Sequence, residues 1–380
     1  MTHRVVILGA GFGGLELATT LSERAADDVT VTVIDQSDCF VFGFSKLEVM
    51  FGHTSTESVR AYYREIDKPS VEFRQEVVTA IDPAARRVST YAGEYEADVL
   101  VVALGADLDP SATPGLVEHG HEFYSVEGAE RLADVLPTFS SGHAVVGVVS
   151  APYKCPPAPS EAAFLLHDFL TERGVRDAVD ITVVSPLGTP VPVSAETSEA
   201  ILKGFAERDI TYVGGDGIRT VEPGQVTLRS GGTRPCDLLL GVPQHVVPPV
   251  VAAAGLTENG WVPVRSENLA TRFPGVYAMG DVASAPVPRA GVFAENAATA
   301  VADDIIAGIR GSAAVPYDGA GSCYIEFGGG RVARVDATFI TAGGPTAPFT
   351  PPSPALAEEK ERFAATRLHR WFGRPAPPTE

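Results

Sequence analysis

The chain has 380 residues, and its 29 basic side chains against 48 acidic ones give a formal net charge of −19. At roughly 150 residues per domain, this length allows two or three domains whose cores fold without disulfide or metal staples. The charge opposes binding to phosphate backbones, because such binding depends on basic side chains that release counterions. Small stapled scaffolds are therefore excluded, and nucleic acid is not expected as a partner.

The sequence contains no apolar run of transmembrane length. Its longest apolar stretches, such as Val99–Leu104 and His143–Val149, fall well short of the ~20 residues that span a bilayer. Met1–Arg4 run directly into a predicted strand and leave no room for a signal segment, so we expect a cytoplasmic protein. In a reducing cytoplasm the four cysteines are not expected to form structural disulfides. They are Cys39, Cys155, Cys236 and Cys323.

A glycine-rich turn near the amino terminus is typical of a dinucleotide-binding site. Arg4–Leu8 is a short apolar run of strand type, Gly9–Gly14 follows directly, and a helical pattern begins there. In such a turn the first glycine permits the bend, the second lets the backbone approach a pyrophosphate, and the last lets the helix pack closely. A second predicted strand, Val29–Ile34, ends in an acid that could accept hydrogen bonds from a ribose hydroxyl. The predicted binding residues of this segment are Gly9, Gly11, Gly13, Gly14 and Asp35.

Three further segments indicate which dinucleotide binds. Gly275–Asp281 has the pattern of a short strand that turns at a glycine and presents Asp281 to a ribityl hydroxyl; alternatively, this acid caps the next turn. A helix predicted over Val292–Ile309 follows, and its amino terminus could stabilise negative charge on a reduced flavin. With the strand and glycine turn over Asp98–Gly105, these segments resemble the FAD-binding signatures of the two-dinucleotide flavoproteins. The resemblance implies FAD as the cofactor, held here by Gly105, Gly280, Asp281, Arg289 and Ala290.

The second nucleotide-binding turn of such flavoproteins is replaced in this sequence. Its strand is predicted at His143–Val149 and its helix at Ser160–Glu172, but the turn between them, Ser150–Pro159, is rich in proline and has no glycine. Side chains and proline rings would keep a pyrophosphate away from the backbone. We therefore predict that this position no longer binds NAD(P).

The same turn carries a candidate nucleophile. Cys155 precedes a predicted helix amino terminus and follows Lys154, and both neighbours favour the thiolate, so we expect a lowered pKa for this thiol. Glu161, in the first turn of the helix, is a candidate proton shuttle if apolar walls raise its pKa. The alternatives are an unreactive, buried Cys155 and a Glu161 that only complements the helix dipole.

Ala151–Glu161 resembles the signature loop of the flavoprotein subunit of flavocytochrome c sulfide dehydrogenase and of the related sulfide:quinone oxidoreductases. The resemblance implies that a second cysteine, near the start of a late strand, pairs with the first in a disulfide over the flavin. Cys323 stands at the expected place and leads a predicted hairpin. The catalytic residues implied by the resemblance are Cys155, Cys323, Glu161 and Lys154.

The sequence also departs from these relatives. It has no C-x-x-C-H haem-attachment motif, so quinone is preferred over a haem protein as the electron acceptor. One short amphipathic helix is predicted over Pro354–Phe372, and it could dock on a membrane, on a second subunit or on its own fold. We favour packing within the fold or a homodimer, with peripheral contact at the inner face of a membrane as the alternative. Arg289 stands where relatives commonly have lysine, and Cys39 and Cys236, which match no redox position, are predicted core residues.

These patterns predict an α/β fold with two interleaved Rossmann-like domains. The FAD domain is expected over 1–107 and 262–311, and a degenerate NAD(P)-like domain over 108–261. A hairpin and helix over 312–380 would cover the flavin or form an interface. The favoured function is an FAD-dependent oxidoreductase that passes two electrons from sulfide, or from a small thiol or persulfide, to quinone or another acceptor. The alternatives are an NAD(P)H-dependent flavin dehydrogenase or disulfide reductase, and a flavin-bound redox sensor; the scattered histidines predict no metal site.

Overall fold

The computed structural model describes residues 2–376 and contains two five-stranded parallel β-sheets. In spatial order, the strands of the first sheet are Val276–Ala278, Val99–Val102, His3–Leu8, Val29–Asp35 and Val71–Gln75. The central strand buries four consecutive apolar residues, as expected where helices cover both faces of a parallel sheet. One edge strand comes from late in the chain, so the segment that forms the second sheet is inserted between parts of the first.

Two helices pack against each other on the first sheet. Phe12–Ala25 begins directly at the glycine turn, and Gly291–Arg310 begins beside it after the turn that ends the strand Val276–Ala278. Leu17 and Leu21 of the first helix and Val301 of the second are almost fully buried in one shared core. Both helix amino termini therefore lie at the carboxyl edge of this sheet, where ligands of open α/β folds bind.

The second parallel sheet stands later in the chain. In spatial order its strands are His121–Glu122, Leu238–Val242, Gly142–Val148, Val179–Ser185 and Ile210–Gly214. The helices packed along it are Val126–Val135, Ala158–Glu172 and Ala195–Ala206. Two parallel sheets of this kind confirm the predicted α/β class with two Rossmann-like units.

The structure also contains smaller sheets of two or three strands and several short helices. The three-stranded sheets are Val78–Asp82 with Arg87–Thr90 and Glu94–Glu96, and Ile218–Glu222 with Gln225–Leu228 and Thr233–Pro235. The two-stranded antiparallel pairs are Cys39–Phe40 with Ala61–Tyr62 and Asp107–Asp109 with Gln244–Val246. One further pair, Val262–Pro263 with Ala283–Ser284, is parallel. The short helices are Ser45–Met50, Leu116–His119 and Pro249–Ala253.

The carboxyl-terminal part contains the predicted hairpin and helix and one strand that was not predicted. The hairpin strands are Ala320–Glu326 and Val332–Thr338, and Cys323 lies in the middle of the first rather than near its start. Phe349–Ser353 adds a third strand at the edge of this sheet, although it contains two prolines. An edge strand tolerates proline because only one side of it must be hydrogen-bonded.

The carboxyl-terminal helix, Pro354–Phe372, has the predicted bounds and packs on its own fold. Trp371 is 1% exposed, and its indole N–H donates to the carboxylate of Glu16 at 2.8 Å. Arg370 pairs with the same carboxylate. The favoured expectation of packing within the fold therefore holds for this helix. Within the described residues 2–376, the helices are all too short or too polar to cross a membrane.

Candidate active site

The glycine turn is shaped by close backbone contacts. Gly9 has a φ of +100°, and a side chain on it would meet the carbonyl group of Ala103. A side chain on Gly14 would overlap the carbonyl oxygen of Gly9, so the helix lies closely on the turn only because this residue is glycine. Gly11 differs from both, because a Cβ there would meet no protein atom and would enter open space. The turn thus combines a tight bend with an unobstructed face.

That face lines a cavity of about 400 Å³, which we call the glycine-turn cavity. Most of the predicted dinucleotide-binding residues line it. They are Gly9, Gly11, Gly13, Asp35, Gly105, Gly280, Asp281 and Ala290. A second cavity of about 430 Å³, the edge cavity, lies beyond Asp35 and is bounded by Gln36–Ser37, Glu76–Val78 and Pro248–Val250. Because Asp35 and Leu104 line both cavities, a long dinucleotide could extend from one into the other.

Asp35 and Asp281 hold different positions in the glycine-turn cavity. One oxygen of Asp35 accepts the backbone N–H of Ala10 at 2.7 Å, and the other accepts that of Ser37 at 2.8 Å. Its carboxylate is thereby fixed at the turn, with further lone pairs free for a hydroxyl donor. Burial raises the pKa of Asp281, while the positive charges of Lys154, Arg289 and Lys46 act in the opposite direction.

Two of the predicted binding residues, Gly14 and Arg289, lie outside the lining of the glycine-turn cavity. The guanidinium of Arg289 stacks 3.7 Å from the ring centre of Trp261, and its Nε donates to the backbone oxygen of Asp281 at 2.9 Å. Stacking on an aromatic face suits a planar guanidinium better than an ammonium group. Arg289 therefore supports the wall behind the cavity. Its own backbone oxygen accepts the N–H of Cys155 at 2.7 Å.

Cys155 lies where the glycine-turn cavity meets a third cavity. This apolar cavity, about 380 Å³ in volume, is lined mainly by proline, aliphatic and aromatic side chains. Cys155 and Glu161 line both cavities, and Cys323 lines the apolar one. Both cysteines are free thiols in this structure. Cys155 also has a φ of +48°, a left-handed conformation that is unfavourable for residues with a side chain.

The expectation of a lowered pKa for Cys155 is wrong for this structure. Although Cys155 as a residue is exposed, desolvation of its sulfur raises the pKa of the thiol well above its ordinary value, and the nearby Glu161 and Cys323 raise it further. Lys154 does not offset these effects, because its ammonium group donates to the backbone oxygen of Ala106 at 2.9 Å instead of facing the sulfur. Cys323 is similar, since burial raises the pKa of its thiol to about 12. The prediction rested on residues adjacent in sequence, which indicate neither how strongly the sulfur is desolvated nor which way the Lys154 side chain points.

Glu161 is a predicted residue whose carboxylate lies beside the Cys155 sulfur. Its side chain is 3% exposed, and its Oε2 lies 4.0 Å from Sγ of Cys155. Its Oε1 accepts the backbone N–H of Glu326 at 3.0 Å, which ties the helix Ala158–Glu172 to the cysteine-bearing strand. Burial raises the pKa of Glu161 to about 7, as expected for an acid between apolar walls. A carboxyl group with such a pKa can give and take protons near neutral pH.

Several residues of the site carry no sequence motif and were not predicted. Lys46 and Tyr124 line the glycine-turn cavity, and the Nζ of Lys46 donates to the backbone oxygen of Tyr124. Cys39 lines the same cavity and is only half-buried, so its prediction as a core residue is wrong, whereas Cys236 is buried as predicted. Burial raises the pKa of the Cys39 thiol to about 11.

The proline-rich turn fills the place of the second nucleotide site. Tyr153 is 4% exposed, and its hydroxyl donates to the backbone oxygen of Pro156 at 3.3 Å. A buried aromatic side chain thus occupies the carboxyl edge of the second sheet, where a glycine turn would leave space for a pyrophosphate.

Comparison with known proteins gives a consistent family assignment. The family model described as pyridine nucleotide-disulphide oxidoreductase matches residues 3–303. The mitochondrial sulfide:quinone oxidoreductase of Mus musculus is 26% identical over 369 residues, which cover 91% of this chain and 80% of the mouse protein. A type II NADH:quinone oxidoreductase of Staphylococcus saprophyticus is 31% identical over 132 residues, or 34% of this chain and 33% of that protein.

Among solved structures, the sulfide:quinone oxidoreductase of Aquifex aeolicus superposes with a TM-score of 0.86 at 23% identity. The match covers 100% of this chain and 93% of the other. At this level of identity the superposition establishes the shared fold.

Proposed function

The chain belongs to the pyridine nucleotide-disulphide oxidoreductase family, and on this basis we propose that it oxidises hydrosulfide through Cys155 and Cys323 and reduces a quinone. It is an FAD-dependent oxidoreductase, as its family and its sulfide:quinone oxidoreductase relatives are. The observation that carries the proposal is that both cysteines line one apolar cavity, and that Cys155 also lines the glycine-turn cavity. The proposed sulfur chemistry would thereby take place beside the cofactor site.

The residues of the glycine-turn cavity fit FAD. Gly11 leaves open space for a pyrophosphate at a helix amino terminus, and Asp35 offers free lone pairs to a ribose hydroxyl. Asp281 would face the ribityl chain, and the amino terminus of the helix Gly291–Arg310 would stabilise negative charge on a reduced ring. When bound, FAD supplies a two-electron acceptor beside Cys155.

The sulfur step begins with a disulfide between the two cysteines. A hydrosulfide ion attacks the sulfur of Cys323, the S–S bond breaks, and a persulfide forms on Cys323 while Cys155 leaves as a thiolate. A second hydrosulfide ion then takes the outer sulfur as a disulfide ion, HSS⁻, and leaves a thiol on Cys323. Re-forming the bridge releases two electrons and one proton, and the electrons reach the acceptor through the cofactor.

Glu161 is suited to move the protons of these steps. Its carboxyl lies beside the Cys155 sulfur and also lines the apolar cavity, and its pKa of about 7 lets it exchange protons near neutral pH. It would take up the proton that is released when the bridge re-forms.

The apolar cavity suits a quinone acceptor. Phe293, Phe339, Phe363 and Tyr324 line it, and such walls bury the surface of an apolar ring. Quinones dissolve in membranes, so we propose that the protein binds peripherally to a membrane surface, with the mouth of the apolar cavity facing the lipid. Flotation of the protein with anionic and with neutral lipid vesicles would test this contact.

The sequence similarity to a type II NADH:quinone oxidoreductase makes NADH the alternative electron donor. The turn Ser150–Pro159 argues against it, because a buried Tyr153 replaces the glycine turn of a second nucleotide site. One anaerobic experiment separates the two donors. The purified holoenzyme is titrated with sulfide and, separately, with NADH, while the absorbance of the bound flavin is followed.

We expect sulfide to bleach the flavin within the mixing time, NADH to leave it oxidised, and quinone to restore the absorbance of the sulfide-reduced enzyme. Cys155→Ser and Cys323→Ser should bind FAD normally and lose bleaching by sulfide. Rapid bleaching by NADH, or an unchanged spectrum with excess sulfide, would overturn the proposal.

A further inference from the structure

Lys46 is a buried amine at the cysteine end of the glycine-turn cavity, and the steps above give it no role. It belongs to the short helix Ser45–Met50, and its side chain reaches into the cavity, where Nζ donates to the backbone oxygen of Tyr124. Burial lowers its pKa to about 8, and repulsion by Lys154 acts in the same direction. A buried cation held by a neutral acceptor is costly, and such groups cluster at functional sites.

Tyr124 connects this amine to the cysteine loop. Its backbone oxygen accepts the hydrogen bond from Lys46, and its hydroxyl donates to the backbone oxygen of Cys155 at 3.4 Å. The ring of His245 packs edge-on against Tyr124 at 5.4 Å. Burial lowers the pKa of His245 to about 3, so this ring adds no positive charge.

The acids that face Lys46 are engaged with other groups. Glu122 raises its pKa, but that carboxylate accepts the backbone N–H groups of Tyr124 and Ser125. Asp281 also raises it and is shared with Lys154 and Arg289. Besides these two acids, the Cys155 sulfur is the group of negative charge that Lys46 faces in the cavity.

The two lysines of the cavity act on different groups. Lys154 is turned toward the backbone oxygen of Ala106, and its charge acts on Asp107 and Asp281. Two groups oppose the desolvation of the Cys155 thiol, first the backbone N–H of Ala158 and then the positive charge of Lys46. Both lysines line the cavity, but Lys154 is bonded to Ala106, whereas Lys46 is connected through Tyr124 to the backbone of Cys155.

We propose that Lys46 is a positioning residue whose ammonium group stabilises the Cys155 thiolate released when hydrosulfide opens the bridge to Cys323. In that step the S–S bond breaks, the electron pair stays on the Cys155 sulfur, and the sulfur of hydrosulfide becomes the outer sulfur of the persulfide. The inference rests on the proposed function for the bridge. The thiolate itself can be measured without sulfide, so the two claims can fail separately.

The test measures the reactivity of the Cys155 thiol across pH. The holoenzyme is reduced anaerobically with a phosphine and alkylated with iodoacetamide from about pH 6.5 to about 9.5, because only the thiolate reacts. Mass spectrometry then quantifies the modified peptide that contains residue 155. We expect Lys46→Met to slow alkylation about tenfold, as for a pKa increase of about one unit. Lys46→Arg should match the wild-type rate at the low end of the pH range and react faster than wild type above about pH 8, because arginine keeps its charge where Lys46 loses its proton. For the same reason the difference between Lys46→Met and wild type should shrink above that pH. Lys154→Met should stay within about twofold of wild type.

An alkylation rate of Lys46→Met close to that of wild type, or a larger loss in Lys154→Met, would overturn the proposal. FAD content and melting temperature report whether each variant is folded. If Lys46→Met does not retain FAD, Lys46→Gln provides the same comparison with a polar side chain of similar length. Slow alkylation in an enzyme that sulfide does not reduce would support the role of Lys46 and contradict the proposed function.

Discussion

The carboxylate of Glu161 lies 4.0 Å from the Cys155 sulfur through one oxygen, and its other oxygen accepts the backbone N–H of Glu326. One acid thus contacts the proline-rich loop and the strand that carries Cys323. Because Glu161 is buried and has a pKa of about 7, its protonation state changes within the range in which the enzyme would work.

We expect Glu161→Gln to remove a pH-dependent limb from the sulfide reaction. The wild-type acid must be ionised to accept a proton, so the rate of flavin reduction should rise as the pH passes through about 7. The variant should be slower by about 10²-fold or more and lack this limb. Stopped-flow reduction by sulfide across pH would measure both effects. Ionisation of the substrate affects both proteins equally and cancels in the ratio of the wild-type rate to the variant rate at each pH. A ratio that does not change with pH would contradict a proton-transfer role for Glu161.

The same substitution should change stability in a pH-dependent way. The folded-state pKa is raised, so folding favours the protonated acid, and this stabilisation is lost as the pH rises from the ordinary value through about 7. Glutamine keeps the acceptor for the N–H of Glu326 and carries no charge. Above pH 7, Glu161→Gln should therefore be more stable than wild type by about 2–3 kcal/mol, with little difference near pH 4. Denaturant unfolding at both pH values would measure this; equal differences at the two would contradict it.

Substitutions of two glycines in the glycine turn should have different effects on stability and on FAD binding. Gly14→Ala places a Cβ on the carbonyl oxygen of Gly9, so we expect a destabilised fold and loss of FAD together. Gly11→Val places its side chain in open space within the cavity, so the apoprotein should melt normally while its FAD affinity falls at least about tenfold. Melting temperatures of the apoproteins and fluorescence titration with FAD would separate these outcomes. Normal FAD binding by Gly11→Val would contradict the prediction that the pyrophosphate of FAD lies against Gly11.

The pairing between Arg370 and Glu16 should contribute strongly to stability. Glu16 is 5% exposed, so Arg370→Ala leaves a buried carboxylate without its cation, at a cost of about 3 kcal/mol. The matched control is Arg24→Ala, which removes a more exposed pair with Asp303 and should cost less than about 1 kcal/mol. Urea unfolding would compare the two, and similar losses would show that burial does not govern these pairs.

Substitution of Phe363 should slow the oxidation of the flavin by quinone and leave its reduction by sulfide unchanged. Phe363 lines the apolar cavity, next to the ring of Tyr324 at 5.5 Å, and lies on the carboxyl-terminal helix. In Phe363→Asp, we expect quinone to reoxidise the reduced flavin at least about tenfold more slowly, because a charge replaces an apolar wall. Reduction by sulfide should stay near the wild-type rate. Tyr91→Ala, at a residue 85% exposed, is the control. If only the reduction by sulfide became slower, the apolar cavity would be the binding site of the electron donor and not of quinone.

Elements marked by local chemistry could be predicted from the sequence. Pro354 begins the last helix and Gly373, with a positive φ, ends it, so both bounds of this helix could be predicted from residue types. The strand Phe349–Ser353 was missed because its prolines argue against strand, and its edge position is a tertiary property.

The electrostatics of the site could not be predicted in the same way. The pKa of Cys155 depends on burial by elements distant in sequence, which outweighs a helix terminus and an adjacent lysine. Lys46 lies more than a hundred residues from Cys155 in the sequence, and the fold brings both to the same cavity. Motifs therefore located the site, and packing determined its charges.

The left-handed backbone of Cys155 has a consequence for protein engineering. Glycine and asparagine adopt this conformation at lower cost than cysteine does. Stability screens of this chain should therefore select Cys155→Gly or Cys155→Asn as improved variants, and under the proposed function every such variant would lack activity. A consensus or thermostabilisation campaign must exclude this position from its library.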